Sequence, residues 1–117
     1  MGSRDTRSIS WIKGAQKDFK GFPKGARDEM LRALTAAAEG RKHDLAKPMK
    51  GFGSGVFELA LKYQTDAYRT VYALQLGDDV WVLHAFQKKA KQGIKTPKKE
   101  LDLIRERLKR LRKELQQ

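Results

Sequence analysis

At 117 residues with a net charge of +12, the chain fits one domain with a modest core, too small for two, and a field of that sign draws polyanions. It has no cysteine and two histidines, His43 and His84, which excludes disulfides and thiolate metal centres and argues against a histidine-based one, so no cofactor is expected. No apolar run approaches the roughly 18 to 20 residues of a membrane span, and the opening MGSRDTRS lacks the apolar centre of a signal peptide; a soluble, cytoplasmic protein with no membrane partner is expected.

The charge is unevenly spread. Residues 1–50 carry 12 basic and 6 acidic side chains, residues 51–83 carry 2 and 4, and residues 84–117 carry 12 and 4. Basic ends around a near-neutral middle make nucleic acid the first candidate partner. An anionic membrane is the weaker one, because no basic amphipathic segment carries large aromatics on its apolar face.

Residues 1–7 are expected to be disordered or a cloning remnant, and residues 8–117 to form the single domain. SISWI is a short strand candidate, followed by helical text in KGAQKDFKGF. Pro23 then suits the first turn of PKGARDEMLRALTAAAEG, where Ala26, Met30, Ala33, Leu34 and Ala37 form one apolar stripe and Gly40 supplies the stop. RKHDLAKPMKGFGSG, with three glycines and a proline, is expected to lack regular structure.

From Val56 the period becomes two. In VFELALKY the residues Phe57, Leu59, Leu61 and Tyr63 alternate with Glu58, Ala60 and Lys62, which predicts a half-buried strand. AYRTVYALQL and VWVLHAF follow after short turns, so an antiparallel meander is predicted. Beyond it six lysines precede the first acid, Glu100, and Thr96 and Pro97 open a last helix in which Leu101, Ile104, Leu108, Leu111 and Leu115 form a stripe for the sheet or for a partner helix. The predicted fold class is α+β: a small antiparallel β-sheet with two N-terminal helices and a C-terminal helix, in the order β-α-α-β-β-β-α, with the helices on one face.

That arrangement leaves the opposite face open, bordered by Glu58, Ala60, Lys62 and Arg69. Arg69 lies mid-strand among Tyr68, Val71 and Tyr72, where a buried guanidinium without a partner costs several kcal/mol. Either it pairs with Glu58 across the sheet, or it is a fixed phosphate fork.

Taken together, GVFELALKY, AYRTVYAL, VWVLHAFQKKAK and KTPKKELDLIRERL resemble the phage-derived HigB-like toxins of the RelE/ParE superfamily, from type II toxin-antitoxin modules, over roughly residues 8–115. The resemblance implies a RelE-like fold and a cytoplasmic toxin that cleaves mRNA on the ribosome without a metal. Its implied partners are the ribosome, mRNA and a cognate antitoxin, often a helix-turn-helix protein. Such cleavage removes the proton of a 2'-hydroxyl, stabilises a phosphorane and protonates the leaving 5'-oxygen. By resemblance, Arg69 would bind the scissile phosphate, Lys88 and Lys89 form the basic pair after the last strand, and His84 is either general acid-base or a structural histidine. Phe86 would stack a base or fill the core. Lys47, Lys50, Lys62, Lys91 and Lys95 are candidate nucleic-acid contacts, adding salt-dependent affinity without specificity.

The chain departs from the family where relatives carry cations on the second strand of the sheet, since Glu58 and Ala60 stand there. Neither stabilises phosphate charge. Two other readings therefore stay open: a non-enzymatic inhibitor of DNA gyrase, as in the ParE branch, and a catalytically inactive relative that binds nucleic acid.

Overall fold

The alternation after Val56 becomes the centre of the sheet. In the computed structural model, which describes residues 6–88 and 96–116, the elements are β1 (Ile9–Trp11), α1 (Lys13–Lys20), α2 (Lys24–Ala38), β2 (Ala46–Pro48), β3 (Val56–Tyr63), β4 (Asp66–Leu76), β5 (Asp79–Lys88) and α3 (Lys98–Leu115). The sheet order is β1-β5-β4-β3-β2. The predicted α+β class and meander hold, with two additions. β1 pairs parallel to β5 through Ile9–Val80, Ser10–Trp81 and Trp11–Val82, and β2 forms inside the glycine-rich stretch expected to be irregular, pairing antiparallel to β3. Ala46, Lys47 and Pro48 carry no strand pattern of their own. The proline is tolerated because β2 is an edge, where an absent N–H breaks no ladder. Of residues 1–7, expected to be disordered, 1–5 lie outside the described residues, and the backbone N–H of Arg7 donates to the Ala38 carbonyl at 2.8 Å.

The helices do not share a face. α1 and α2 bury Phe19, Ala26, Met30 and Leu34 against Leu59, Tyr68, Tyr72, Val80 and Val82. A run of tilted rings ties this layer together, with centroids 4.9 Å apart for Trp11–Phe19, 5.4 Å for Phe19–Phe22 and 4.8 Å for Phe22–Tyr68. On the opposite face α3 sets Ile104, Leu108 and Leu111 against Val56, Val71, Ala73 and Leu83, together with Met49 and Phe52 of the glycine-rich stretch. The face expected to be open is thus half closed by α3, because the second set of residues on β4 and β5 is apolar too and would otherwise be left in water. On β5 a bulge changes the parity: Val71 pairs with His84 and Tyr72 with Val82, so Leu83 is the extra residue, and Leu83 and His84 both lie on the α3 side while Val82 and Ala85 enter the other core. Among the described residues no helix is long and apolar enough to cross a membrane.

Seating α3 on this sheet predicts a specific cost. Leu108→Ala, at a position 3% exposed, should destabilise the protein by about 2–5 kcal/mol in urea or guanidinium denaturation. An unchanged midpoint would mean that the leucine stripe serves some other partner.

Candidate active site

The strand register builds the site. Residues opposite one another in an antiparallel pair share a face, and three consecutive cross-strand rows stack there: Lys62–Ala67–Lys88, Ala60–Arg69–Phe86, and Lys47–Glu58–Val71–His84. The sheet therefore gathers Lys47, Lys62, Arg69, His84, Phe86 and Lys88 onto the α3 side, where the apolar stripe of that helix gives way to its N-terminal end. Lys47 and Lys62 are exposed at the rim, while Lys50 is exposed in the glycine-rich stretch beyond it. Lys89, Lys91 and Lys95 lie outside the described residues.

Arg69 takes the pairing with Glu58. Its Nη1 is 3.1 Å from Glu58 Oε2, with side chains only 13% and 16% exposed. Thr96, just ahead of α3, donates its hydroxyl to the same carboxylate oxygen at 2.9 Å. Glu58 thus holds two elements at once, and it neutralises a guanidinium that the strand would otherwise have to bury alone. Lys88, two residues beyond Phe86 on the same face, is 3% exposed, and among the described residues its Nζ has no hydrogen-bond partner. Burial, and then the Arg69 charge, push its pKa down against the opposing pull of Glu58. A lysine in that state can give up its proton more readily than a solvated one.

His84 is placed differently from a free general base. It is 2% exposed, and both ring nitrogens are engaged: Nε2 lies 2.7 Å from Glu100 Oε1 and Nδ1 lies 3.1 Å from Arg107 Nη1. Arg107 cannot accept, so Nδ1 must, which assigns the proton to Nε2 and makes it the donor to Glu100. The same Arg107 nitrogen donates to the Leu83 carbonyl at 2.9 Å. The imidazole thereby joins β5 to α3 at two points about two turns apart. Burial lowers its pKa most, Arg107 adds to the lowering, and Glu100 and Asp18 oppose it. Gly14 of α1 leaves the room this needs, since a Cβ there would lie 2.4 Å from Arg107 Nη2. Phe86 stacks on His84 with centroids 5.0 Å apart at 22° and is 7% exposed, so it packs in the interior and offers little face to a base. The sequence does not single out Glu100, Arg107 or Thr96; their role depends on which face α3 covers. Among the described residues no group of three or more His, Asp or Glu is placed to hold a metal ion.

Comparison with known proteins gives the fold a context. A family profile described as phage-derived protein Gp49-like matches residues 17–109. Two solved structures are similar: a doubly arginine-to-alanine substituted E. coli toxin RelE in the free state, at TM-score 0.60 and 17% identity, covering 90% of this chain and 97% of that one; and the toxin-antitoxin complex RelBE2 of Mycobacterium tuberculosis, at TM-score 0.50 and 14% identity, covering 74% and 95%. No curated protein matches at the level of sequence. The chain has the RelE-like fold expected from its sequence.

The His84 arrangement sets a pH dependence of stability. Its folded pKa is lowered from the ordinary 6.5, so on acidification the unfolded chain takes up the proton first; the contribution is full above about pH 6.5 and is lost below it. Thermal melting at pH 7.5 and 5.5 should show a larger fall for wild type than for His84→Gln. Equal falls would show that His84 is not held neutral.

Proposed function

This chain is a member of the phage-derived Gp49-like family, and we propose that it is the toxin of a type II toxin-antitoxin module, cutting mRNA on the ribosome by attack of a 2'-hydroxyl on the adjacent phosphate. The support is the one sheet face of a RelE-like fold that carries Arg69 and Lys88 in neighbouring rows, in a domain whose charge is +12. The complex that RelBE2 forms with its antitoxin supports a cognate antitoxin here, and the cytoplasm is where ribosome, mRNA and such a partner meet.

The chemistry follows from these side chains. Arg69 receives the scissile phosphate by exchanging one anionic partner, Glu58, for another, so no unpaired guanidinium is created at any stage. As the 2'-oxygen bonds to phosphorus its proton passes to solvent water, and the charge that grows on the phosphorane oxygens is stabilised by Arg69 and Lys88. The bond to the 5'-oxygen then breaks, leaving a 2',3'-cyclic phosphate and a 5'-hydroxyl. Lys88, with its lowered pKa, is suited to supply the proton that the 5'-oxygen takes. His84 is a positioning residue that keeps α3 on β5, and Lys47 and Lys62 at the rim hold flanking phosphates.

A second reading rests on the same Glu58–Arg69 pair. If the phosphate cannot displace the carboxylate, the protein binds RNA and does not cut it. Expression of the chain should arrest growth, and primer extension on cellular mRNA should show new 5' ends within translated frames alone. Arg69→Ala and Lys88→Ala should each lower cleavage by at least about 100-fold, the scale on which a charge-stabilising group acts, with the fold retained by circular dichroism. Cleavage by both variants at the wild-type rate would remove this site assignment. Growth arrest without cuts would favour the binding-only reading.

A further inference from the structure

Away from this face, α3 carries a second concentration of charge. Arg105, Lys109, Arg112 and Lys113 follow one another over about two turns, roughly 12 Å of helix, and line a groove of about 680 Å³ whose other wall is Gly51, Phe52 and Gly53. Among the described residues no acidic side chain lines it. Asp102 stands at its end, 3.8 Å from Arg105, and Glu106 turns to Arg110 at 3.5 Å. Two of the cations are held in place. The Arg105 guanidinium lies 4.7 Å from the centroid of the Phe52 ring, and Arg112 Nη2 reaches the Phe52 carbonyl at 3.4 Å. Lys109 and Lys113 make no ion pair among the described residues.

The facing wall is built for close approach. Gly51 and Gly53 have φ of +87° and +82°, a region where side chains are disfavoured, and they present bare backbone across from the cations. The large apolar side chains that line it are already buried, Phe52 to 5% and Leu108 to 3% exposure, so neither offers an amphipathic helix much side chain to cover. What remains on offer is a row of fixed and mobile positive charge beside a smooth wall. From this geometry we propose that the groove is a second RNA site, taking the sugar-phosphate backbone of a single strand by charge and without base readout. The inference takes from the proposed function only that RNA is the polyanion, and in the cell ribosomal RNA would supply it. The site is separate from the Arg69 face and serves to hold the protein on its target while that face acts.

The test uses a fluorescently labelled, unstructured RNA of about 20 nucleotides, longer than the roughly 4–16 nucleotides that single-strand sites occupy, read by anisotropy across a salt series. The exposed pair Lys109→Gln/Lys113→Gln should bind about ten-fold more weakly than wild type at moderate salt. It should also lose about 1.4 from the slope of log affinity against log salt, the value for two phosphate contacts on a single strand. Lys17→Gln/Lys20→Gln, an exposed pair on α1, serves as the charge-matched control and should retain most of the wild-type slope. Unchanged affinity and slope in the lysine variant would overturn the proposal. So would an equal or greater loss of binding to a polyglutamate peptide, which would mark the groove as a site for acidic protein. If wild type shows the expected slope but translated mRNA stays intact, the groove stands and the cleavage reading fails.

Discussion

β4 is buried on both of its faces, and the rest of the molecule is arranged around meeting that demand. Tyr68 and Tyr72 belong to the layer under α1 and α2, while Val71 and Ala73 belong to the layer under α3. A strand of this kind needs two separate covers, and the chain supplies them from its two ends. The neighbouring strand does the same by alternation, with Val82 on one side and Leu83 on the other, and the bulge at Leu83 brings His84 to the α3 side as well.

Within such a strand a charged residue is tolerable only where the cover thins. Arg69 lies past the end of the apolar contacts of α3, and even there it is met by Glu58; leaving either charge alone would cost about 3–5 kcal/mol. Glu58 is also bonded to Thr96, so the carboxylate that neutralises the arginine locates the start of α3. His84 does the corresponding task one row further along, through Glu100 and Arg107. Glu58 and His84 are therefore fasteners between sheet and helix, and a substitution at either acts first on how α3 is seated.

β3 and the stripe of α3 are legible because their periods are uninterrupted over eight residues or more, and β4 and β5 because β-branched and aromatic residues run between short turns. β2 is not legible: Ala46, Lys47 and Pro48 become a strand only because the edge of β3 offers hydrogen bonds to them. The side on which α3 docks escapes a reading of its leucines, since an apolar stripe fits either face. The deciding signal lies in β4, where Val71 and Ala73 interleave with Thr70 and Tyr72; apolar residues on both parities mark a strand covered twice. The Glu58–Arg69 pair could be anticipated from a mid-strand guanidinium with a carboxylate on the adjoining strand. The engagement of His84 could not, because Glu100 and Arg107 reach it only once α3 has been placed. The groove beside Phe52 escaped for a similar reason, as its glycine wall and its cations are about fifty residues apart in sequence.

The parallel pairing of β1 with β5 has a kinetic side. Ile9 meets Val80 and Trp11 meets Val82, about seventy residues later, and the second core is completed only by Ile104, Leu108 and Leu111. Contacts so distant in sequence require a large loop to be closed before any of their stabilisation is returned, which slows folding. On an elongating ribosome the first strand must wait for the last, and the face bearing Arg69 cannot assemble until β5 has emerged. In a nascent copy of this chain order therefore arrives late and all together.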